Sequence, residues 1–599
     1  MAKPAEHVGM GALPYEGGVT FRVWAPHADE VSVIGTFNDW TAAAHPLASE
    51  KNGYWSADVS EAASGDEYKF LIVNGAQTLE RIDPYAREVT NSVGNAVIYD
   101  PAFDWGAVDY ATPAWNDMVI YEMHIGTFND EPGGPPGNLE RVIEKLPYLQ
   151  RLGVNVVQLM PPTEFAGGFS WGYNPAHIFA IESDYGGPAA FRTFVEAAHA
   201  HGIAVLFDVV YNHFGPSDLD LWQFDGWSQN EKGGIYFYND WRSRTPWGDT
   251  RPNYGRGEVR QYIRDNVLMW LEEYRVDGLR WDATAYIRNV SGNDNDPAHD
   301  LPEGWSLMQW INDEIDARQP WKISIAEDLR DNAWITKRTS EGGAGFDAQW
   351  DAGFVHPVRR AVTATEDGAR DMVAVRDALH HYYNGDAFRR VLYTESHDEV
   401  ANGKARVPEE ISPEQPGGWQ AKKLSTLGAA LVFTAPGIPM IFQGQEFLED
   451  AWFHDTDPID WAKRDRYRGI VQLYRDLIHL RRNRTATARG LRGQHTHVYH
   501  VNDQDKVIAF LRRDCGGPGD DVVVVANFAN RAYAGYTIGF PRSGRWRVRF
   551  NSDWGGYDES FGDHPSLDVA AWQGAKDGQP SHGDVGIGPY SVIILSQDV

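Results

Sequence analysis

Strand-like and helix-like segments alternate along residues 118–445, and this alternation restricts the possible folds more than any other feature of the sequence. The predicted strands cover 118–128, 154–161, 203–210, 276–283, 322–328, 389–396 and 437–445, and the predicted helices cover 138–153, 188–202, 258–274 and 305–320. Alternation at this spacing indicates a parallel sheet. So many units favour a closed (β/α)8 TIM barrel with long loops over an open sheet.

The chain on either side of this region is typical of β-structure. Short alternating segments are separated by turn-rich stretches, at 18–26, 30–37 and 68–73 before the barrel, and at 496–501, 506–513, 521–528, 546–550 and 590–595 after it. An irregular stretch with proline and tryptophan lies at 101–115. We therefore predict an N-terminal β-sandwich (1–103), a catalytic barrel (104–490) and a C-terminal all-β sandwich (491–599).

Composition restricts the partners and the compartment. A formal net charge of -30 argues against binding to nucleic acid and against docking on an anionic membrane. The single cysteine, Cys515, fits a reducing compartment. The N-terminus lacks the apolar core of a signal peptide, and no apolar run is long enough to span a bilayer. We expect a cytoplasmic protein without nucleic-acid or membrane partners, and the sequence sets no expectation for the oligomeric state.

Polar clusters stand just past four of the predicted barrel strands. In a barrel, the C-terminal ends of the strands converge on one mouth, where the chemistry of such folds takes place. Carboxylates at four strand ends are hard to explain as solvated ends, so we predict a catalytic mouth there. The clusters are Asp208, Asn212 and His213; Arg280 and Asp282; Glu327; and His397 and Asp398.

Several carboxylates at one mouth suit the cleavage of a glycosidic bond. One carboxylate attacks the anomeric carbon while a second, protonated carboxyl donates to the departing oxygen, and retaining enzymes hold the two about 5 Å apart. Asp282 lies two residues after Arg280, so both side chains point to one face of a strand, and we expect Arg280 to lower the pKa of Asp282. Glu327 follows an apolar strand, which we expect to raise its pKa.

Three further residues fit a sugar-binding role at this mouth. Asp398 could hold the hydroxyls of the sugar and favour distortion of its ring. His213 and His397 could donate hydrogen bonds to the same sugar. One such histidine is usually structural, but two at a single mouth favour the binding interpretation.

The four clusters closely resemble the α-amylase superfamily of glycoside hydrolases. The family's four short regions match the motifs at 208–213, 278–286, 325–328 and 395–399, in the family's order. The resemblance implies Asp282 as nucleophile, Glu327 as general acid/base and Asp398 as stabiliser of the transition state. It further implies that the attacked glucose is contacted by Arg280, His213, His397, the nearby Asp208, and Tyr173 of the segment SWGYNPAHIFA.

The N-terminal segment 21–40 resembles the immunoglobulin-like, carbohydrate-binding sandwich of branching enzymes, debranching enzymes and maltooligosyltrehalose trehalohydrolases. Trp24 and Trp40 in this segment could bind glucan. Packing of these two indoles against the barrel is the interpretation we favour.

Within the superfamily, the residues leave the exact activity open. The segments 395–406 and 437–447 resemble 1,4-α-glucan branching enzymes, whereas 208–218 is more similar to trehalohydrolases and debranching enzymes, and Trp281 departs from the residue common at its position. A branching enzyme acting on amylose, starch, glycogen or maltooligosaccharides is the leading hypothesis. The alternatives are an α-amylase, a debranching enzyme or a trehalohydrolase, and, more remotely, a non-catalytic glucan-binding protein.

A metal cofactor is not expected. In many α-amylases the asparagine that matches Asn212 binds calcium, and hard cations prefer oxygen ligands. No companion ligands are recognisable here, so we favour a hydrogen bond that orients a loop and keep calcium at Asn212 as the weaker possibility. The sequence holds no His/Cys zinc pattern.

Overall fold

The computed structural model describes residues 3–107 and 110–599, and its N-terminal part consists of two β-sheets. The strands are β1 (Gly11–Tyr15), β2 (Gly18–Trp24), β3 (Glu30–Gly35), β4 (Ala48–Lys51), β5 (Tyr54–Val59), β6 (Glu67–Asn74), β7 (Gln77–Arg81), β8 (Glu88–Val89) and β9 (Ala96–Val97). One sheet has the order β1-β2-β5-β4. The other has the order β3-β6-β9-β8, with β7 paired to β6. The two-sheet architecture predicted for this region is confirmed.

The N-terminal domain is anchored to the barrel by hydrogen bonds, an ion pair and aromatic packing. Arg81 donates to the backbone oxygens of Phe224 and Gln223, at 3.0 and 3.1 Å. Arg87 pairs with Glu273 at 3.0 Å. The predicted packing role fits one tryptophan: Trp24 is buried, and its ring lies 5.5 Å from that of Tyr236.

Trp40 does not follow the packing interpretation. Its side chain is 38% exposed, and it follows a 3-10 turn at Thr36–Asn38 with a positive φ of 56°. The Trp40 indole therefore lies at the surface of the domain.

The middle of the chain forms a closed barrel of parallel strands, as predicted. Its hydrogen-bonded order is β10-β11-β14-β15-β16-β17-β18-β19, and β19 pairs with β10 to close it. The strands of this region are β10 (Ile120–Met123), β11 (Val156–Leu159), β12 (Thr163–Phe165), β13 (Pro175–Ile181), β14 (Ala204–Val209), β15 (Gly278–Trp281), β16 (Ile323–Ala326), β17 (Ala348–Trp350), β18 (Arg390–Leu392) and β19 (Ile438–Phe442). Strands β12 and β13 form a separate antiparallel pair inserted after β11.

Most of the helices lie between the barrel strands, and the last two follow β19. They are α1 (Ile125–Phe128), α2 (Leu139–Ile143), α3 (Leu146–Leu152), α4 (Gly187–Ala200), α5 (Gly257–Leu268), α6 (Thr284–Arg288), α7 (Pro302–Arg318), α8 (Ala352–Thr363), α9 (Met372–His380), α10 (Val407–Ile411), α11 (Trp419–Thr434), α12 (Ala462–Arg466) and α13 (Arg468–Arg481). A π-helical turn, Met269–Glu273, extends α5.

Two predicted elements of the barrel differ in the structure. The single helix predicted at 138–153 is divided into α2 and α3, because Pro147 in the first turn of α3 has no N–H to continue a helix from α2. The strand predicted at 118–128 ends at Met123, after which α1 begins.

The C-terminal part is an all-β domain, as predicted. Its strands are β20 (His495–Asn502), β21 (Val507–Arg513), β22 (Val522–Asn527), β23 (Tyr533–Phe540), β24 (Gly544–Asn551), β25 (Val569–Lys576), β26 (Gln579–Ile587) and β27 (Ser591–Ser596). They pair in the order β20-β21-β22-β27-β24-β25-β26-β23. The sheet folds over one apolar core that includes Val525, Phe540, Trp546 and Ile593.

The predicted domain boundaries lie outside the regular strands. Position 103/104 falls between β9 and β10, and position 490/491 falls within the turn Arg489–Arg492. Residues 108–109 of the predicted linker lie outside the described residues. Within 3–107 and 110–599, no helix combines the length and apolar character needed to cross a membrane.

A buried ion pair joins the barrel to the C-terminal domain. Lys423 of α11 donates to Asp553 at 2.6 Å, and neither side chain is exposed. Asp553 also accepts the backbone N–H groups of Gly562 and His564. Burial lowers the pKa of Lys423 to about 8 against the opposing effect of Asp553.

We expect Lys423→Met to lower the free energy of unfolding by about 3 kcal/mol, because it leaves the Asp553 carboxylate buried without its countercharge. The matched control is Lys422→Met, which removes a partly exposed pair with Asp558 and should cost about 1 kcal/mol or less. Denaturant titration and calorimetry would measure both losses. Equal losses for the two variants would contradict this assignment.

Candidate active site

Arg280 lies at the centre of the barrel mouth. Residues of β15 alternate between the interior and the surrounding helices, so Arg280 and Asp282 point inward. Trp281 points outward, where it packs between Tyr211 and Phe346 at ring distances of 5.1 and 5.6 Å. The unusual residue at position 281 is therefore a packing residue behind the site.

Strands β14, β15 and β16 bring three carboxylates to this guanidinium. Arg280 stands beside Asp208 in the register of β14 and β15, and its Nη1 donates to Asp208 Oδ2 at 2.7 Å and to Asp282 Oδ1 at 3.0 Å. Its Nη2 lies 3.1 Å from Glu327 Oε2 as an ion pair, without the alignment of a hydrogen bond. The ring of Trp350, 4.4 Å from the guanidinium carbon, packs against this group.

The electrostatics of the three carboxyl groups follow from burial around one cation. Burial raises the pKa of Asp208 to about 6 although Arg280 opposes the shift. Burial also raises the pKa of Asp282 to about 6, against Arg280 and the hydrogen bond from Asn212. The pKa of Glu327 rises to about 7 through burial, with Arg280 opposing and Asp282 adding to the rise.

These directions confirm one expectation and correct another. The raised pKa of Glu327 agrees with the prediction from its apolar strand. The expectation of a lowered pKa for Asp282 is wrong, because a single guanidinium shared among three carboxylates does not offset the cost of burying them.

His397 forms the opposite wall of the site and is held by Glu122, the last polar residue of β10. The ring Nδ1 lies 2.6 Å from Glu122 Oε1, and the backbone N–H of His397 donates to Glu122 Oε2 at 3.1 Å. Its Nε2 lies 3.6 Å from Asp398 Oδ2. Burial alone would lower the pKa of His397, but the Asp398 and Glu122 carboxylates outweigh it and raise the pKa to about 9.

Asp398 is the most open of the predicted catalytic carboxylates. Its side chain is 45% exposed, and its described contacts are the His397 ring and a long approach of 3.5 Å from Asn402 Nδ2. These contacts leave carboxylate oxygens of Asp398 accessible from the mouth, whereas those of Asp282 and Glu327 are turned toward Arg280.

Tyr173 reaches the site from the inserted β12–β13 segment. Its hydroxyl donates to Asp208 Oδ2 at 2.7 Å, and its ring stacks on His397 at 4.8 Å. A flat aromatic ring that is held in place by its hydroxyl group and by stacking provides a platform for a sugar ring.

Asn212 and His213 complete the predicted set. Asn212 Nδ2 donates to Asp282 Oδ2 at 2.7 Å and to the Asp282 backbone oxygen at 3.0 Å, while its side-chain oxygen contacts His213 Nδ1. The His213 ring stacks on Trp247 at 4.6 Å. Burial lowers the pKa of His213 to about 3, so the ring is neutral.

All the predicted site residues therefore belong to one contact network, but other members of the site were not predicted. Glu122 holds His397, Trp247 covers His213, and Asp328 binds Arg288 through two hydrogen bonds of 2.8 and 2.9 Å. The available signal for Glu122 was a carboxylate inside an otherwise apolar strand.

The geometry suits acid/base chemistry on a neutral polyhydroxylated ligand. Of the three carboxyl groups that share Arg280, Glu327 retains its proton to a higher pH than Asp282. Around these groups lie the cationic His397 ring, the neutral His213 ring and the exposed Asp398 carboxylate. Such a site can bind hydroxyl groups, attack a carbon centre with one carboxylate and protonate a leaving oxygen with the other.

Comparison with protein families assigns all three parts of the chain. Carbohydrate-binding module 48 (isoamylase N-terminal domain) matches residues 9–86. The catalytic domain of α-amylase matches residues 120–252 and 216–464. The C-terminal all-β domain of α-amylase matches residues 498–598.

Similar individual proteins span nearly the whole chain. The 1,4-alpha-glucan branching enzyme GlgB 2 of Xanthomonas euvesicatoria pv. vesicatoria is 32% identical over 92% of this chain and 75% of its own length. GlgB of Oceanobacillus iheyensis is 27% identical over 99% of this chain and 95% of its own. A putative α-amylase from Salmonella typhimurium has the same fold, with a TM-score of 0.73, 23% identity and coverage of 98% and 99%.

For the metal prediction, the contacts of Asn212 favour the hydrogen-bonding interpretation, since its oxygen faces the His213 ring. We expect a chelator to leave both the melting temperature and the rate of glucan turnover unchanged. Calorimetry and an activity assay with and without the chelator would test this. A loss of either that added calcium restores would support the calcium alternative.

Proposed function

The chain belongs to the α-amylase superfamily of glycosidases and transglycosylases, and from this premise we propose that it is a 1,4-α-glucan branching enzyme. The observation that supports this choice most is the 32% identity to a named branching enzyme over 92% of the chain. The match of its N-terminal domain to a carbohydrate-binding module supports a glucan substrate.

In the first half of the proposed reaction, the Asp282 carboxylate attacks the anomeric carbon of an α-1,4 bond. The Glu327 carboxyl gives its proton to the departing oxygen, so the bond from carbon to that oxygen breaks as the bond to Asp282 forms. The product is a glycosyl ester on Asp282 and a shortened glucan with a free 4-hydroxyl.

In the second half, the Glu327 carboxylate removes the proton from the 6-hydroxyl of an acceptor chain. The acceptor oxygen attacks the anomeric carbon of the glycosyl ester, and the bond from that carbon to the Asp282 oxygen breaks, which frees the Asp282 carboxylate and creates an α-1,6 linkage. Two inversions at one carbon retain its configuration.

The remaining predicted residues would hold the attacked glucosyl unit. Tyr173 offers its ring as a platform, while Asp398 and the two histidines contact hydroxyl groups. Arg280 and Asn212 contribute by orienting Asp282, to which both donate hydrogen bonds.

Incubation with amylose tests the acceptor. We expect iodine staining to fall while few reducing ends appear, because the cleaved chain passes to a hydroxyl rather than to water. New α-1,6 linkages should be detectable by proton NMR. Reducing ends that rise in step with cleavage would instead identify a hydrolase.

The nucleophile is tested with Asp282→Asn, which keeps the shape of the side chain and removes its charge. We expect this variant to lose turnover of amylose by at least about a thousandfold. Turnover retained at the parent level would contradict the assignment. The matched control is Asp347→Asn, which changes a half-buried carboxyl directly before β17.

The raised pKa values predict the pH dependence of catalysis. Asp282 must be ionised and Glu327 protonated, so kcat/KM should fall below about pH 6 and above about pH 7, with limbs that belong to the coupled pair. A glycosyl fluoride, whose leaving group needs no proton, should flatten the alkaline limb of the glycosylation step. Asp347→Asn should keep both limbs, although burial raises the pKa of Asp347 to about 7 as well. An alkaline limb that moves in this control would argue against Glu327 as its origin.

A further inference from the structure

Glu122 is a fully buried carboxylate in the interior of the barrel, and the proposed reaction does not use it. It follows Ile120 on the inward face of β10, and its neighbours in the register of β11 and β19 are Gln158 and Phe442, which carry no charge. Burying a carboxylate without a countercharge is costly. The charge at this position therefore depends on a cationic partner.

His397 is that partner. Glu122 Oε1 lies 2.6 Å from the ring Nδ1, and Oε2 accepts the backbone N–H of His397 at 3.1 Å. In the part of the chain that the structure describes, the Glu122 carboxylate has no other hydrogen bond or ion pair. Both of its oxygens are thus committed to one residue, and they fix the imidazole relative to its own backbone.

Three aromatic side chains enclose the ring of His397. Tyr173 stacks on it at 4.8 Å, and the rings of Trp171 and Trp350 each lie 6.0 Å away. Because a flip of the imidazole would displace these packed neighbours, its two nitrogens keep different surroundings. Nδ1 faces Glu122, and Nε2 lies 3.6 Å from Asp398 Oδ2 at the mouth.

This geometry determines which nitrogen carries a proton. A carboxylate only accepts hydrogen bonds, so in a neutral ring the protonated nitrogen is the Nδ1 beside Glu122. Nε2 would then have no proton, and it could not donate to a sugar hydroxyl. Donation from Nε2 therefore requires the doubly protonated, cationic ring.

The charges around the imidazole favour this cationic form. Burial lowers the pKa of His397, whereas Asp398 and Glu122 raise it, and against Arg280 the net pKa is about 9. Two further neighbours are neutral, because burial lowers the pKa of His124 to about 4 and raises that of Tyr173. The titratable and charged groups that face the ring are Glu122, His124, Tyr173, Asp208, Arg280 and Asp398.

We propose that Glu122 is a positioning residue of the reaction, which holds the His397 ring doubly protonated and so makes Nε2 a charged hydrogen-bond donor to the attacked glucosyl unit. Hydrogen bonds from a cation are about twice as strong as those between neutral groups. The inference rests on the proposed glycosyl transfer, but it concerns only the first half of that reaction, before an acceptor takes part.

Nitrogen NMR of the full-length protein, labelled at histidine, tests the protonation directly. The signals of His397 are identified by their absence from the spectrum of His397→Asn. At about pH 7.5 we expect both ring nitrogens of His397 to carry protons, although an ordinary histidine is mostly neutral there. A neutral ring in the unchanged protein at this pH would overturn the proposal.

Glu122→Gln should convert the ring to its other neutral form. The backbone N–H of His397 needs an acceptor, so we expect the new amide oxygen to face it and the amide nitrogen to donate to Nδ1. A proton on Nδ1 is then disfavoured, and the spectrum should show a neutral ring protonated at Nε2. A ring that stays cationic in this variant would contradict control of its charge by Glu122.

A glycosyl fluoride separates this effect from the titration of Glu327, because its leaving group needs no proton. In the unchanged enzyme we expect glycosylation to slow above about pH 9, where His397 loses its charge. Glu122→Gln should be about tenfold slower at neutral pH, because a neutral donor is weaker. It should also lack the limb near pH 9, since its Nε2 stays protonated. A uniform loss of rate with the limb in place would mean that Glu122 only supports the fold.

The matched control is Glu446→Gln, which removes another fully buried carboxyl close to β10. Glu446 accepts hydrogen bonds from Tyr148 at 2.8 Å and Tyr121 at 3.1 Å, and burial raises its pKa to about 7. Tyr121 precedes Glu122 but points to the other face of the strand. This variant should keep a cationic His397 and the limb near pH 9. Loss of either would assign the effect to the removal of any buried carboxyl and not to Glu122.

These measurements fail independently of the proposed function. If the unchanged enzyme only hydrolyses amylose, the branching proposal fails, whereas the NMR and fluoride results still decide the role of Glu122. An enzyme that branches amylose with a neutral His397 would overturn this inference alone.

Discussion

The buried guanidinium of Arg280 sets the properties of the whole mouth. Among the described residues it is the cation that pairs with Asp208, Asp282 and Glu327 alike, so these carboxyl groups are held in place without being fully neutralised. That incomplete compensation keeps their pKa values raised, to about 6 for Asp208 and Asp282 and to about 7 for Glu327. One cation and the register of three strands thus produce two different carboxyl groups. Glu327 keeps its proton as the acid, and Asp282 loses its proton more readily as the nucleophile.

Much of this arrangement could be predicted from the sequence. The alternation of elements indicated the barrel, and polar residues at strand ends identified the mouth, because both depend on local patterns that repeat along the chain. The short strand β17 was not predicted, since its three residues are too few to show a period. Glu122 was not predicted either, because its partner His397 lies far away in sequence and only the closed barrel brings them together.

The electrostatic error has a different origin. A neighbour such as Arg280 can be inferred from spacing in a strand, whereas the cost of desolvation depends on everything that surrounds the group. The net shift of Asp282 is the difference between two opposing effects, and the sequence reveals only the smaller of them. Trp40 is a second example, because its exposure could not be inferred from its hydrophobicity.

The buried pair of Lys423 and Asp553 has a consequence for how such chains can be recombined. Because a barrel helix and the C-terminal domain each contribute one charge to a dry interface, neither part presents a neutral surface when it is separated from the other. A chimera that exchanges the C-terminal domain must therefore import a matching acid or replace the lysine of α11. The unit to exchange is therefore the C-terminal domain together with helix α11. The boundary of this unit in the structure does not coincide with the domain boundary in the sequence.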